Sequence, residues 1–157
     1  MALHADVPRV AMQVSQGVVV ASIQVDLDED VLDRFREDLL GCIHETGSRR
    51  VILDVSGLET LDSEEFAALR RIIVMTSIMG AESVLVGLRP GVVSALIETG
   101  ADVDGLLAAI DLDAGFAMLR PDAESDAEGE AGAEAAGDAD GQDGLPPESG
   151  QAPEAER

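Results

Sequence analysis

The sequence predicts an α/β domain with a mixed, mostly parallel β-sheet, followed by a disordered acidic tail. Short runs rich in Val and Ile alternate with segments in which apolar residues recur at helical spacing. This alternation is typical of parallel strands joined by helices. The first two runs are separated by the residues Ser-Gln-Gly at 15–17, which predict a hairpin and therefore one antiparallel edge. The composition changes sharply at Pro121, beyond which large apolar residues almost disappear.

The predicted order of elements is β-β-α-β-α-β-α-β-α. Glycines at 47, 80 and 100 follow the first three helices, and Pro90 suits the first position of the third. The strands are predicted at residues 7–14, 18–25, 51–55, 83–87 and 107–110, and the helices at 28–45, 62–79, 90–99 and 111–119.

Apolar periodicity predicts which face of each helix meets the core. Val93, Leu96 and Ile97 are the apolar positions of the third helix. Met75 and Met79 in the second helix are interpreted as core residues rather than as contacts to a cofactor. The predicted inner face comprises Leu32, Phe35, Leu39, Cys42 and Ile43 in the first helix, and Phe66, Leu69, Ile72, Ile73, Thr76 and Met79 in the second.

Residues 1–120 are predicted to form one folded domain, and residues 121–157 to form the tail. The tail contains twelve acidic residues and one arginine, and Leu145 is its one large apolar residue. Such a segment cannot bury enough surface to offset the entropy lost on ordering. We interpret it as a solvated spacer rather than as a specific docking arm.

The net charge of −22 argues against binding to nucleic acid or to anionic membranes, because phosphate contacts need clustered Lys or Arg. The lone Cys42 gives no disulfide framework and fits a reducing compartment. The N-terminus shows no signal-peptide pattern, and the longest apolar run, VVVASI, is too short to span a bilayer. These features predict a soluble, cytoplasmic protein.

The sequence predicts a protein that is not an enzyme, with no catalytic residue, cofactor or metal site. It lacks a Gly-x-Ser-x-Gly elbow, and a phosphate-binding Gly-x-x-x-x-Gly-Lys loop cannot occur in a chain without lysine. The two histidines, His4 and His44, are predicted to be surface residues. Asp54 ends a buried strand, as the phosphoacceptor of a receiver domain does, but that chemistry also needs the missing lysine.

The residues Asp62, Ser63, Glu64 and Glu65 open the second helix and contain the candidate functional residue. Asp62 is predicted to be the N-cap and Glu65 to reach back to it, as in a capping box. Ser63 then lies exposed in the first turn, where free N–H groups and the helix dipole favour a phosphate. On these grounds alone a structural role for the serine is the simpler interpretation.

The order of elements and the segment DVSGLETLDS, residues 54–63, resemble a STAS domain, the fold of anti-sigma-factor antagonists. The RsbS-type branch of stressosome proteins is the most similar, through ASIQVDLDEDVLDRFREDLL, SIMGAESVLVGLRPGVVSALIETGAD and GLLAAIDLDAGFAML. The resemblance covers about residues 7–119, and the tail takes no part in it.

The resemblance implies a non-enzymatic scaffold whose Ser63 is phosphorylated by an RsbT-like serine kinase. It also implies assembly with RsbR-like STAS paralogues in a stressosome-like complex that sequesters the kinase and controls a stress response. A phosphate adds about −1.5 to −2 charge beside three carboxylates, and repulsion should release the kinase. The predicted partner-binding residues are Ser56, Gly57, Leu58, Asp62, Ser63, Glu64 and Glu65.

Glu64 and Glu65 depart from the small or apolar residues that follow the Asp-Ser pair in many STAS domains. They are explained either by favourable charge in a first helical turn or by altered kinase specificity, including a surface that partly mimics the phosphorylated state. Two other functions stay open. One is an anti-anti-sigma factor that binds an anti-sigma kinase directly, and the other is a non-catalytic STAS subunit of a transport system.

Overall fold

The computed structural model describes residues 7–120 as a five-stranded sheet with four helices, in the predicted order. The predictions made for His4 and for the tail concern residues outside this range. The strands are β1 (Ala11–Ser15), β2 (Val18–Ser22), β3 (Arg50–Asp54), β4 (Glu82–Val86) and β5 (Ala108–Ala109). The helices are α1 (Glu29–Thr46), α2 (Ser63–Ile78), α3 (Pro90–Glu98) and α4 (Leu112–Met118).

The strands lie in the sheet in their order along the chain, β1-β2-β3-β4-β5. β1 and β2 form an antiparallel hairpin, and the φ angles of Gln16 and Gly17 in its turn are 54° and 75°. Two-residue hairpin turns require this left-handed backbone. β2, β3, β4 and β5 are parallel, with Val20, Ile52 and Val84 side by side. The predicted mixed, mostly parallel sheet is therefore confirmed.

Alternate residues of the central strands face two separate cores. Val51 and Leu53 of β3 contact the larger core, which α1, α2 and α3 cover, whereas Ile52 contacts a smaller core under α4. Burial on both faces explains the continuous apolar run in β3. α4 approaches the sheet closely because Gly115 has no side chain, and a Cβ there would lie 2.7 Å from Val86 Cγ1.

Three strands are shorter than predicted. β1 begins at Ala11 rather than at residue 7, and the nearby Pro8 has no N–H to offer a strand ladder. β2 ends at Ser22 rather than at residue 25, and β5 contains only Ala108 and Ala109. Every other boundary differs from the predicted one by one residue or none. Cap residues explain this accuracy, since Asp28 accepts the N–H of Val31 at the start of α1.

The buried faces of the helices agree with the predicted ones at most positions, but Ile73 in the interior of α2 is only half-buried. In α1, Leu32 and Cys42 are only half-buried, and Val31 takes a core position that the prediction omitted. Met79 is exposed rather than buried, because α2 ends at Ile78 and Met79 is already its C-cap.

α3 buries a narrower stripe than its apolar residues suggest. Val92 and Leu96, one turn apart, are buried, whereas Val93 and Ile97 are exposed. A helix of nine residues makes about two and a half turns, so a narrow buried stripe contains only two core positions. Of the three apolar positions named from the sequence, Leu96 lies in the core.

A buried pair of hydroxyl groups joins α2 to β4. Thr76 Oγ1 and Ser83 Oγ lie 2.7 Å apart, and Thr76 Oγ1 also contacts the carbonyl oxygen of Ile73 at 2.7 Å. We expect Thr76→Val to lower the free energy of unfolding by about 1–3 kcal/mol, because it leaves the Ser83 hydroxyl without its partner in the core. Urea unfolding followed by circular dichroism measures the loss.

The double variant Thr76→Val with Ser83→Ala is the matched control for this pair. It should recover part of the stability, because both polar groups are then absent from the core. If the double variant loses more free energy of unfolding than the two single variants together, the assignment of this pair is contradicted.

Candidate functional site

The loop between β3 and α2 contains the predicted site residues. β3 ends at Asp54, whose Oδ1 accepts the N–H of Ser56 at 2.9 Å, and the N–H of Leu58 donates to the carbonyl of Val55 at 3.0 Å. Asp54 therefore stabilises a turn, as short acidic side chains commonly do after strands. Leu58 is 7% exposed and anchors the loop from beneath, while Ser56 and Gly57 lie at the surface.

Two glycines allow this loop to pack against the ends of β2 and β4. A Cβ on Gly57 would lie 2.9 Å from the carbonyl oxygen of Ile23, and a Cβ on Gly87 would lie 2.8 Å from Ser56 Cβ. Gly87 also has a φ of 79°, which other residues rarely adopt. Arg89 Nη2 donates to the carbonyl of Ser56 at 3.2 Å. The close packing of this loop against the residues that follow β2 and β4 fixes the position at which α2 begins.

Asp62 and Glu65 form the predicted capping box at the start of α2. Asp62 Oδ1 accepts the N–H groups of Glu64 and Glu65, each at 2.8 Å, and Glu65 Oε2 accepts the N–H of Asp62 at 2.9 Å. Donors that the helix cannot use itself are thus satisfied from both directions. The prediction of Asp62 as N-cap and Glu65 as its reciprocal partner is confirmed.

Ser63 is the first residue of α2, and its side chain is exposed. Because Asp62 supplies the cap, the Ser63 hydroxyl is not needed to start the helix. The two following glutamates differ. Glu65 is half-buried and belongs to the capping box, whereas Glu64 is exposed and only its backbone N–H takes part.

Ser63 lies between two surface cavities. The larger, of about 650 Å³, is bounded by the face of α2 from Ser63 to Ile78 and by residues 99–102. The smaller, of about 320 Å³, lies between residues 59–63 and α3. Thr99 borders both cavities. Thr99 could not be predicted from the sequence, because nothing in the local pattern indicates that the segment after α3 reaches the start of α2.

Arg70 connects α2 to the segment after α3. Its Nη1 binds the carboxylate of Asp102, and its Nη2 donates to the carbonyl of Asp104 at 2.8 Å. A guanidinium that binds two groups of one turn fixes that turn better than a single contact would. Arg70 therefore fixes the position of residues 102–104 relative to α2, which forms the other wall of the larger cavity. A basic residue among the apolar positions of α2 was the one feature of the sequence that could have indicated a contact made by this side chain.

The residue types that ligate metals can be located within the described part of the chain. Across residues 7–120, no group of three His, Cys, Asp or Glu side chains is arranged to hold a metal ion. His44 is exposed in the last turn of α1, and Cys42 is half-buried.

Asp62→Ala should lower the free energy of unfolding by about 1 kcal/mol, the usual cost of losing an N-cap side chain. Ser63→Ala should change it by less than about 0.5 kcal/mol, because the exposed hydroxyl caps nothing. Parallel urea titrations compare the two variants, which alter adjacent residues. An equal loss in both would show that Ser63 takes part in the cap.

A family model described as the STAS domain matches residues 9–105 of the chain. The match contains the β3–α2 loop, the capping box and Ser63. No curated protein sequence matches the chain significantly.

The described fold is similar to solved structures of RsbS and of the stressosome. A serine-to-glutamate variant of RsbS from Moorella thermoacetica has a TM-score of 0.61 and 28% identity, over 76% of this chain and 97% of that one. A chain from a structure of the stressosome, which is described as a signal integration and transduction hub, has a TM-score of 0.62 and 28% identity. The match covers 69% of this chain and 95% of that one.

A membrane protein also contains a similar fold. The murine anion transporter Solute Carrier 26 family member A9 has a TM-score of 0.53 and 19% identity, over 68% of this chain but 18% of that one. At this identity the similarity shows the shared fold alone. Within the part of the chain that the structure describes, no helix is long and apolar enough to cross a membrane.

Proposed function

Because the chain belongs to the STAS domain family, we propose that it is a non-enzymatic antagonist and scaffold that holds a partner serine kinase until Ser63 is phosphorylated. The kinase is of the RsbT-like class, and RsbR-like STAS paralogues join the chain in a stressosome-like complex that controls a stress response. The similarity to RsbS and to a stressosome component, each 28% identical, supports this class of function.

The observation that carries the proposal is the position of Ser63. Its hydroxyl is exposed at the N-terminus of α2, and the adjacent Asp62 has taken over the capping role. A kinase can therefore modify Ser63 without unfolding the helix start. The cavities on both sides give a partner surface to grip around this residue.

Phosphorylation changes this surface through charge. A phosphoserine carries about −1.5 to −2 charge at neutral pH, and Asp62 and Glu64 beside it are already exposed carboxylates. A kinase that binds the neutral serine also holds nucleotide phosphates close to it. Like charges brought together in an interface repel strongly, so the kinase leaves after it transfers the phosphate.

Incubation of the full-length chain with the RsbT-like kinase of the same organism and ATP tests the proposal. We expect mass spectrometry to find one phosphate, on Ser63. Ser63→Ala should take up no phosphate and should keep the kinase bound in a pull-down with ATP, because release needs the modified hydroxyl.

Ser94→Ala is the matched control, because Ser94 is an exposed serine of α3 that lines neither cavity. It should be phosphorylated and should release the kinase as the wild-type chain does. Phosphate on Ser94 or on another residue, together with normal release by Ser63→Ala, would refute the role proposed for Ser63.

A direct anti-anti-sigma function is the second candidate. It uses the same exposed Ser63 but replaces the switch kinase by a kinase that sequesters a sigma factor. A competition assay separates the two candidates: the full-length chain should displace a sigma factor from its anti-sigma kinase only if the second one is correct.

A further inference from the structure

A groove follows α2 from the candidate switch serine to the end of the helix. One wall is the face of α2 from Ser63 to Ile78, and the other is the segment 99–102 that follows α3. The groove encloses about 650 Å³, which lies within the size range of sites that take up ligands or partner side chains. We call this surface the α2 groove.

The second half of the α2 groove is apolar and open to solvent. Val74 and Ile78 are 48% and 80% exposed, and Met75 beside them is half-buried. Residues four apart are neighbours on a helix surface, so Val74 and Ile78 form one continuous patch. A single exposed apolar residue is ordinary, but a continuous patch along a groove is typical of a surface that a partner covers.

Two arginines place positive charge in the middle of this apolar surface. Arg70 is held by Asp102, whereas Arg71 is exposed and forms no ion pair with any of residues 7–120. The whole chain carries a net charge of −22, so an exposed cation in this groove is a local exception. Arg71 therefore favours a carboxylate on the partner and disfavours a basic segment.

The first turn of the groove is the candidate switch itself, because Ser63 lines the cavity. A kinase that binds around Ser63 through an interface of standard size covers about 800 Å² of this chain. The capping residues near Ser63 are charged, whereas the centres of stable interfaces are depleted of charge. The groove supplies apolar surface on the same helix, beginning about three turns from Ser63 at Val74.

We propose that the partner kinase lays an acidic amphipathic segment in the α2 groove, with an apolar side chain against Val74 and Ile78 and a carboxylate at Arg71. This inference rests on the proposed function, since the partner is the kinase that acts on Ser63. The kinase then has two contacts: one at Ser63, which phosphorylation changes directly, and one at Arg71, Val74 and Ile78, which lie two or more helical turns further along α2.

Ile78→Glu in the full-length chain tests the apolar contact. In calorimetric titrations with the purified RsbT-like kinase and a non-hydrolysable ATP analogue, we expect about 30-fold weaker binding, the loss typical of an interface hot spot. Ile110→Glu is the matched control, because Ile110 is 84% exposed and lies outside the groove. It should change the affinity by less than about twofold.

Arg71→Glu tests the charge contact in the same titration. We expect about tenfold weaker binding at low salt, and a smaller difference at about 0.5 M salt, because ions screen exposed charges. Arg49→Glu is the control, since Arg49 is exposed but lies outside the groove. An equal loss in both variants would show that net charge, rather than the position of Arg71, sets the affinity.

The outcomes separate this inference from the function on which it rests. If Ile78→Glu and Ile110→Glu bind the kinase equally and Ser63 still receives phosphate, the groove is not in the interface and the proposed function stands. If the wild-type chain does not bind the kinase, both fail. If Ile78→Glu lowers the molar mass in light scattering and leaves kinase affinity unchanged, the groove joins copies of this chain and the inference is overturned.

Discussion

Phe66→Ala should lower the free energy of unfolding by about 3–5 kcal/mol, the range observed when a buried phenyl ring is removed from a core. Phe66 is 2% exposed and lies one turn after Ser63, on the side of α2 that packs against the larger core. Small domains have a total stability of about 5–15 kcal/mol, so this variant loses a large share of it. Urea and thermal unfolding followed by circular dichroism measure the loss.

Phe66→Leu is the control for this prediction. It keeps most of the apolar volume and should cost about 1 kcal/mol. Phe35→Ala, in α1, removes an equally buried ring from the same core and should be as destabilising. A loss below about 1 kcal/mol for Phe66→Ala alone would mean that the first turn of α2 can collapse onto the space left by the ring.

The start of α2 could be predicted from the sequence because its determinants are local. The capping box joins Asp62 to Glu65, three residues away, and side chains at that spacing meet wherever a helix begins. The same holds for Asp28 at the start of α1 and for Gly47, whose φ of 65° ends that helix. The sheet was predictable because its strands alternate with helices, an order that permits few arrangements.

The surface around Ser63 could not be predicted in the same way. The sequence shows that Val74 and Ile78 are apolar. Whether they are buried depends on which other parts of the chain pack beside them. Residues 99–102 lie opposite α2 without covering it, so a groove remains between them. The contact of Arg70 with Asp102 joins residues far apart in sequence, and no local pattern encodes such a pair.

The short strands have a related explanation. β5 pairs with β4 through Ala108 and Ala109 only, and small side chains add little cross-strand packing to hold a longer ladder. Leu107 and Ile110 on either side are exposed, although their apolar character suggested strand positions. At the edge of a sheet, composition predicts that a strand exists more reliably than it predicts where the strand ends.

The structure separates the two glutamates that follow Ser63. Glu65 has a structural task, since its carboxylate accepts the N–H of Asp62. Glu64 is exposed, and its side chain is free to act on a partner through charge. The explanation from helix stability therefore applies to Glu65, and Glu64 is the residue at which we propose that charge acts on the kinase.

Phosphorylation of Ser63 should weaken kinase binding by about 100-fold, because like charges placed together in an interface cost several kcal/mol. The measurement compares the phosphorylated full-length chain with the unmodified chain in a titration with the kinase and ADP. Ser63→Asp should weaken binding less, by about tenfold or below, since a carboxylate carries less charge than a phosphate. Unchanged affinity after complete phosphorylation would contradict release by charge.

Glu64→Gln is the variant that decides whether the unmodified surface already resembles the phosphorylated one. It removes one charge beside Ser63 and leaves Asp62 and Glu65 in their capping box. If the surface is a partial mimic, Glu64→Gln binds the kinase about threefold to tenfold more tightly, and raising the salt reduces the gain. Glu65→Gln should keep the box, because glutamine also occupies that position in capping boxes. Tighter binding by Glu64→Gln than by Glu65→Gln would then trace the effect to the exposed charge, whereas an equal gain would trace it to net charge alone.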